Sequence, residues 1–377
     1  MKKAFKYRLL GNQQTFEKAD RWLWLCRNLY NSALAERIYA YRGQRVSISS
    51  YSQIKELPEL KVDFPEYGDV GSQVLQDVLE RLDRAYKAFF RRRANQEGKG
   101  GFPRFRGRYR YDSFTLKQAG WKLDGRYLTI RNVGKFKLRL SRDIQGDIKT
   151  VTIRRESTGK WYACFSCDNV PEKKLMESNE AIGIDVGIKS FCVDSEGGNT
   201  DNPQYLKQSL RELRIKQRTL SRRKKGGMRR GKARLQVAKA HEKVRNQRRD
   251  FLHKLANHYV RDYGVIAVED LNIKGMVRNH NLARSISDAG WGTFIGLMEY
   301  KAEEAGRKLV RISRFEPSSK TCSECGTINQ ELKLSDRQWV CKSCGVLHDR
   351  DYNAAKNIRR VGQTLQGVTY ASAQSVS

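Results

Sequence analysis

The sequence predicts a fold of the α/β plus β class, and three observations support this prediction. From Ser113 to Val170, apolar and polar residues alternate with a period of two, as in antiparallel strands with one buried face. From residue 181 onward, short apolar runs typical of buried strands alternate with long helical patterns, as in α/β proteins. Two Cys-x-x-Cys pairs near the C-terminus indicate a small metal-binding unit within the α/β part.

The N-terminal part is predicted to be a β unit interrupted by helices. Residues 2–10 alternate as a strand, whereas apolar residues from Phe16 to Ala33 and from about Gly71 to Arg93 recur with helical spacing. Because the first strand could complete the later, barrel-like β unit, residues 11–95 are interpreted as a helical insertion. Turn signals divide the β unit into candidate strands at 126–132, 135–140, 149–155 and 160–168.

The C-terminal half follows an α/β pattern. An apolar strand begins at Ala181 and carries Asp185, and a second apolar strand, Gly264 to Leu271, ends in two acids. A long basic helical region at 203–262 separates the two strands. The predicted order is completed by a helix at 285–306, a strand at 308–312, the cysteine pairs and a final helix.

The charge of the chain points to a polyanionic partner. Its 74 Lys and Arg residues exceed its 41 Asp and Glu residues, and the formal net charge is +33 at pH 7. Nucleic acid is the first interpretation and an acidic membrane surface the second. Basicity supports binding and does not by itself indicate catalysis.

Two basic segments are candidates for nucleic-acid contact. One is a Gly- and Arg-rich loop with interleaved aromatic residues, which suits backbone contact with base stacking, although a basic linker would look similar. The other interrupts the basic helical region, where a solvated charged face is the alternative to phosphate binding. The candidate residues are Arg104, Phe105, Arg106, Arg222, Arg223, Lys224, Lys225, Arg229 and Arg230.

The sequence predicts a protein of a reducing compartment. The N-terminus lacks the apolar core of a signal peptide, and no run of about 18 apolar residues predicts a membrane span. Eight cysteines are few for 377 residues, and four of them belong to the metal-like pairs. The sequence therefore does not indicate a disulfide framework. Cys164 and Cys167 resemble a third pair, but on a strand they would point to opposite faces. We therefore expect a cytosolic protein without a membrane partner.

The two cysteine pairs predict a structural zinc site. Cys322 and Cys325 are separated from Cys341 and Cys344 by fifteen residues, and a glycine follows each pair. Four thiolates fill the tetrahedral set of a closed zinc ribbon, so His348 is not needed as a ligand. No coordination position would remain open for a substrate.

Three acids in separate segments share an unusual context. Asp185 and Glu269 lie within or at the end of apolar strands, where an unpaired carboxylate is costly, and Asp351 opens a helix. Taken singly, each could be a helix cap or a strand-end residue. Together, three carboxylates from an α/β unit suit two Mg²⁺ ions that hydrolyse a phosphodiester.

The order of motifs resembles that of TnpB, the insertion-sequence-encoded, RNA-guided nuclease family related to type V CRISPR effectors. The residues that carry the resemblance are GIDVG, AVEDL, CSECG, CKSCG and HDRDYNAAKNI, with support from 101–106, 282–291 and 318–322. The resemblance implies a RuvC-type, RNase H-like nuclease domain in which Asp185, Glu269 and Asp351 are the catalytic acids. It also implies a transposon-end-derived guide RNA, a double-stranded DNA target beside a short motif, and a bacterial or archaeal host.

The resemblance further implies a domain organisation. A wedge β domain would hold a helical recognition insertion, and a nuclease domain would hold the zinc ribbon. The helix around Ser287 to Phe294 would correspond to a lid near the active site. The boundaries are 1–10 and 104–178 for the wedge domain, 11–103 for the recognition domain, 179–317 and 347–362 for the nuclease domain, 318–346 for the zinc ribbon, and 363–377 for a disordered tail.

The function that follows is RNA-guided DNA cleavage, and two alternatives remain. Other transposition enzymes use an RNase H-like acidic trio for DNA-strand transfer, so a transposase is one of them. The second is a non-catalytic, RNA-guided DNA-binding repressor. Specificity supplied by guide pairing requires a positive channel rather than base-reading helices, which agrees with the charge of the chain.

Overall fold

The chain forms two compact units, Met1–Pro171 and Glu172–Ser377. The computed structural model describes residues 1–95, 101–333 and 335–366. The division lies a few residues before the predicted end of the wedge domain at 178. Residues 172–178 belong to the second unit, where the amide of Leu175 donates to the carbonyl of Ala305 at 3.1 Å.

A seven-stranded antiparallel sheet forms the frame of the first unit. The first strand, β1, lies between β7 and β5, which confirms that residues 2–10 join the later β unit. The order is β2-β6-β7-β1-β5-β4-β3, which leaves β2 and β3 as edges, so the barrel-like closure stays a prediction. The strands are β1 (Lys3–Leu10), β2 (Ser113–Leu116), β3 (Trp121–Asp124), β4 (Tyr127–Ile130), β5 (Gly134–Arg139), β6 (Asp147–Arg155) and β7 (Trp161–Asp168).

Helices fill the insertion between β1 and β2. Asn12 caps the first helix, since its side chain accepts from the amide of Thr15 at 2.8 Å. That helix packs on the sheet, where the rings of Trp22 and Phe114 lie 5.3 Å apart. The helices are α1 (Gln13–Gln44), α2 (Ser50–Lys55), α3 (Leu57–Asp63) and α4 (Ser72–Ala94), with a 3₁₀ turn at Pro65–Asp69.

The second unit contains a mixed five-stranded sheet in the order β10-β9-β8-β11-β12. β8, β11 and β12 run parallel, whereas β9 and β10 form an antiparallel meander from β8. The carboxyl ends of β8 and β11 therefore lie side by side. The strands are β8 (Ala181–Val186), β9 (Ser190–Asp194), β10 (Asn199–Asp201), β11 (Val265–Glu269) and β12 (Lys308–Ile312), and β13 (Gln338–Val340) pairs with β14 (Leu347–Asp349) outside this sheet.

Within the described residues, six helices accompany the second sheet. The helix predicted at 285–306 is two helices, because Gly290 adopts a left-handed backbone with φ of 77°. The basic region forms two helices that pack along each other. The helices are α5 (Tyr205–Ser221), α6 (Met228–Asp262), α7 (Ile273–Met276), α8 (Ala283–Ala289), α9 (Trp291–Ala305) and α10 (Arg350–Leu365).

Helix α10 lies directly on β8 and β11. A Cβ added at Gly183 would meet the carbonyl oxygen of Ala355 at 2.1 Å, and one at Gly362 would meet the Cβ of Ala267 at 2.4 Å. Only glycine permits this close approach. The helix continues to Leu365, so the prediction of a disordered tail is wrong for residues 363–365. Residues 367–377 of the predicted tail lie outside the described residues.

No helix in the described ranges is long and apolar enough to cross a membrane.

Candidate active site and metal centre

Four cysteine thiols of the second unit come together as the spacing predicts. The Sγ atoms of Cys322 and Cys344 lie 3.6 Å apart, as do those of Cys325 and Cys341. All four lie within 4.8 Å of one another. Zinc–sulfur bonds of about 2.3 Å place tetrahedral thiolates at about 3.8 Å, so the cluster fits a zinc ion. These distances exclude disulfides, whose sulfurs lie about 2.05 Å apart.

His348 supports the thiol cluster from beside it. Its Nε2 lies 3.0 Å from Cys322 Sγ, and its ring packs 4.7 Å from the ring of Trp339. Burial lowers the pKa of His348, so the ring is neutral and can donate a hydrogen bond to the sulfur. The sequence analysis did not count His348 among the four ligands and did not indicate this contact.

The three predicted acids belong to three elements that meet at one edge of the second sheet. Asp185 lies in β8, Glu269 ends β11, and Asp351 is in the first turn of α10. Ile184 pairs with Val268 in parallel register, so Asp185 and Glu269 follow at equivalent positions. Since α10 packs on β8 and β11, its first turn brings Asp351 to the same edge.

The charges of the other two acids influence the pKa of Asp185. The pKa of Asp185 is raised to about 8, first by burial and then by the negative charges of Glu269 and Asp351, while Arg350 opposes the shift. Burial also raises the pKa of Glu269. A carboxyl with such a raised pKa is stabilised by a cation once it ionises.

Neighbouring side chains orient each acid differently. The hydroxyl of Ser318 donates to Glu269 Oε1 at 2.7 Å, while the adjacent Asp270 pairs with Arg314. Glu269 and Asp270 thus have different partners, in agreement with the expectation that their side chains diverge. Asp351 Oδ2 lies 3.4 Å from Arg337 Nη1 of the cysteine-rich segment.

Asp349 is the cap of α10 rather than a member of the acidic group. Its side chain accepts from the amides of Asp351 and Tyr352 at 3.1 and 3.0 Å. The cap fixes the first turn, in which the helix dipole favours the carboxylate of Asp351.

The carboxylates form a more open arrangement than the thiols. The four cysteines are the one tight group of three or more metal-ligating side chains in the part of the chain that the structure describes. Ligands divided between two ions about 3.5–4 Å apart do not have to converge on one point, so oxygen ligands from three elements fit such a pair.

Two asparagines of α10 were missed by the sequence reasoning. Asn353 Nδ2 donates to the carbonyl of Thr321 at 2.7 Å, and Asn357 Nδ2 donates to the carbonyls of Ser318 and Thr321 at 2.8 and 2.6 Å. Both side chains are buried. Their spacing of four on a helix that carries Asp351 was the available signal, because such residues share one face.

The candidate nucleic-acid residues of the first unit lie on an exposed loop. Arg104, Phe105 and Arg106 are all exposed. The side chain of Asn31 holds the loop, donating to the carbonyl of Arg106 at 3.0 Å and accepting from its amide at 2.7 Å. The guanidinium of Arg106 lies 5.5 Å from the ring centre of Tyr30. This arrangement suits a binding loop better than a flexible linker.

The basic break between α5 and α6 is exposed apart from one residue. Arg230 is half-buried, and its Nη1 donates to the carbonyls of Leu220 and Arg223 at 2.9 and 2.8 Å. It therefore closes the turn between the two helices. Arg222, Arg223, Lys224, Lys225 and Arg229 remain exposed.

A further buried acid joins the basic helices to the segment that the resemblance relates to a lid. Asp288 of α8 accepts from the amides of Leu206 and Lys207 at 3.0 and 3.1 Å and from Arg248 Nη2 at 2.8 Å. It thus caps α5, whose own flanking Gln204 makes no side-chain cap.

Comparison with known proteins identifies the family. A Streptomyces pristinaespiralis protein, named as a candidate RNA-guided DNA endonuclease, is 34% identical over 96% of this chain and 90% of its own length. An Escherichia coli K12 protein with the same designation, InsQ, is 30% identical over 96% of this chain and 92% of its own. The chain belongs to the TnpB family. The TnpB-like protein L79 of Acanthamoeba polyphaga mimivirus is 28% identical over 57% of this chain and 43% of its own.

Family sequence models and a solved structure agree with this membership. The model described as "Probable transposase" matches residues 164–280, and "Cas12f1-like, TNB domain" matches 291–358. A "Helix-turn-helix domain" model matches 1–45, where the structure has β1 followed by the single long helix α1. A cryo-EM structure of a Cas12f1–sgRNA–target DNA complex gives a TM-score of 0.56 at 16% identity, covering 93% of this chain and 83% of that one, which shows a related fold.

Proposed function

We propose that this TnpB-family chain is an RNA-guided DNA endonuclease. The observation that carries the catalytic part is the meeting of Asp185, Glu269 and Asp351 at one sheet edge. The RNA-guided part is supported by the names of relatives that match nearly the whole chain. Both alternatives, a DNA-strand transferase and a non-catalytic repressor, are not favoured, because the same relatives are named as endonucleases.

The acid site suits phosphodiester hydrolysis with two divalent ions. Such ions, Mg²⁺ in this proposal, supply an activated water and stabilise the leaving 3′-oxygen. The charges of Glu269 and Asp351 both raise the pKa of Asp185, so we assign Asp185 as the ligand that the two ions share. Glu269 Oε1 already accepts from Ser318, which leaves Oε2 for an ion, and Asp351 completes the set from the helix.

The fold that supports this site is proposed to be the RNase H-like nuclease domain. An antiparallel meander followed by two parallel strands supports that proposal. The four thiols fit structural zinc, which fixes the segment just before Asp351 and takes no part in the chemistry. The first unit is proposed to be the wedge domain with its recognition insertion.

The basic segments are proposed to hold a guide RNA and its DNA target by their backbones. Base pairing would supply the sequence specificity, so the exposed Arg and Lys residues need only follow phosphates. The exposed ring of Phe105 between two arginines suits stacking on an unpaired base. Arg230 is assigned to the shape of the turn rather than to phosphate contact.

The decisive experiment reprograms the guide. Purified complex with a guide RNA from the transposon end is mixed with Mg²⁺ and two DNA duplexes, one matching the guide and one not. We expect cleavage of the matching duplex, and the preference should reverse when the guide is exchanged. Cleavage that ignores the guide while transposon ends are joined would indicate the transferase.

The same assay with Asp185→Ala separates a nuclease from a repressor. We expect target binding to persist and cleavage to be lost, since the carboxylate holds the ions and does not touch the guide. Activity that persists unchanged in this variant would show that the acids are structural. Target binding should also weaken steeply as salt rises, because phosphate contacts release counterions.

A further inference from the structure

Ser318 occupies an unusual place between the two metal centres. It is buried, with 5% of its surface exposed, and its hydroxyl donates to Glu269 Oε1 at 2.7 Å. It lies four residues before Cys322, so the segment that leads into the thiol cluster also touches a candidate catalytic acid. A serine hydroxyl is a single donor that rotates to suit its acceptor, and a carboxylate can only accept.

Helix α10 holds this serine from the other side. The carbonyl of Ser318 accepts from Asn357 Nδ2 at 2.8 Å, and the carbonyl of Thr321 accepts from both Asn353 and Asn357. Asn353 Oδ1 also accepts from the amide of Ser323 at 2.9 Å. Three backbone groups of this segment are thus bound to two side chains of the helix that carries Asp351.

The chemistry requires amides at these helix positions. The carbonyl oxygens of Ser318 and Thr321 need donors, and aspartate in place of either asparagine would set acceptors against acceptors. Buried polar networks of this kind fix geometry through their satisfied members, here the Nδ2 donors, whereas Asn357 Oδ1 is buried without a hydrogen-bond partner among the described residues. Hydrogen bonds therefore connect α10, which carries Asp351, through Ser318 to Glu269. This network links two of the three acids.

We propose that Ser318, held by Asn353 and Asn357, is the positioning residue that orients Glu269 for metal binding. The inference rests on the proposed function, since it assigns a role within that metal site. Glu269 otherwise has a flexible side chain at a strand end. With Oε1 engaged by the hydroxyl, the rotation of the carboxylate is fixed and Oε2 is presented to the ion. Outer hydrogen-bond partners of metal ligands typically change metal affinity by about 10- to 100-fold.

The test is a calorimetric titration of Mn²⁺ into the full-length, zinc-loaded protein without nucleic acid. Asp185→Asn, which removes the site, gives the background. We expect Ser318→Ala to weaken the Asp185-dependent Mn²⁺ affinity by roughly tenfold. The matched control is Ser319→Ala, next in the chain, which should leave the affinity unchanged because its hydroxyl makes no hydrogen bond within the described residues.

A second variant tests the support from α10. Asn357→Ala removes the Nδ2 group that donates to the carbonyls of Ser318 and Thr321, so it should weaken Mn²⁺ affinity in the same direction while zinc content stays at one per chain. If Ser318→Ala does not give folded protein, Ser318→Cys keeps the volume with a weaker donor and should show the same weakening.

Two outcomes would overturn the proposal: equal Mn²⁺ affinity in folded Ser318 variants and the wild type, or equal weakening in Ser319→Ala. Failure of the proposed function is distinguishable from either. A wild-type complex that binds Mn²⁺ through Asp185 but cleaves no guided target would contradict the endonuclease and leave the role of Ser318 intact.

Discussion

The thiol cluster and the acid site both bring metal ligands together, but they are built from the chain in opposite ways. The four thiols come from one short segment, and Cys322 and Cys344 are only 22 residues apart. The three acids come from two strands and a helix that lie far apart in the chain. The first site is closed by tight turns, whereas the second exists only once a sheet has formed.

This difference determines what each site depends on. A short loop costs little entropy to close, and the metal itself supplies the energy that holds the ligands. The acids have no such local support, and burial and mutual repulsion raise the pKa of Asp185. Loss of one ligand should therefore disrupt the thiol cluster. The acid site should instead be disrupted when the strands and the helix that carry the acids shift.

The largest effect is expected from the acid site itself. Glu269→Gln keeps the size of the side chain and its bond to Ser318 but removes a negative ligand, so guided cleavage should fall on the order of 10³-fold or more. The rate is measured at saturating guide complex, together with target binding, which should be unchanged. Asp270→Asn is the matched control, because Asp270 pairs with Arg314 and should retain cleavage within a fewfold. Equal losses in the two variants would contradict the assignment of Glu269.

The second-largest effect is expected at the thiol cluster, and it should distinguish the role of this cluster from that of the acid site. Cys341→Ser removes one zinc ligand, so zinc content should fall from one per chain to near zero and the free energy of unfolding should fall by several kcal/mol. Cleavage should fall as well, since the cysteine-rich segment precedes Asp351. Metal analysis and chemical unfolding measure both quantities. Cys164→Ser, on strand β7, serves as the control and should keep its zinc. A zinc-free Cys341→Ser protein with wild-type stability would show that the cluster is not structural.

The same contrast explains what the sequence could predict. The zinc ligands followed from spacing alone, because a Cys-x-x-Cys turn is a local structure. The acids could be proposed from their context, but their meeting depended on the parallel register of β8 and β11, which no local pattern encodes. The resemblance to TnpB supplied that step.

Other features lay beyond local patterns for similar reasons. The break at Gly290 was hidden because apolar spacing continues through it, and only a left-handed backbone divides the helix. Arg230 was grouped with phosphate-binding residues, since nothing in a basic run indicates which guanidinium closes the turn. Asp288, Ser318 and Asn357 make their contacts across segments distant in the chain, so their roles required the fold.

A smaller effect should come from moving the scaffold without touching a ligand. Gly183→Ala places a Cβ against the backbone of α10, near Ala355 and Arg359, so the helix must shift away from β8. We expect a loss of about 1–3 kcal/mol in stability and a clear loss of cleavage, with zinc retained. Unfolding, zinc content and cleavage are measured together. Gly296→Ala in α9 meets nothing within 4 Å and should be neutral or slightly stabilising. Normal cleavage by Gly183→Ala would show that the acid site tolerates a displaced helix.

The smallest expected effect is the loss in free energy of unfolding that ionisation of Asp185 causes. In metal-free conditions the pKa of Asp185 is raised to about 8 from an ordinary value of 3.8, so the folded state binds more protons than the unfolded state between those values. The free energy of unfolding should therefore fall as pH rises from about 4 to about 8. Asp185→Asn removes the titrating group, so at pH 8 it should exceed the wild type by about 1–3 kcal/mol, and the difference should shrink toward pH 4.

Urea unfolding of zinc-loaded protein across this pH range measures the effect. Added Mg²⁺ should restore the stability of the wild type at pH 8 and leave Asp185→Asn unchanged, because only the ionised carboxylate gains from the cation. Parallel stability curves for the two proteins would mean that Asp185 ionises at its ordinary pKa. In that case the acid site would be as independent of its surroundings as the thiol cluster, and the contrast between the two centres would not hold.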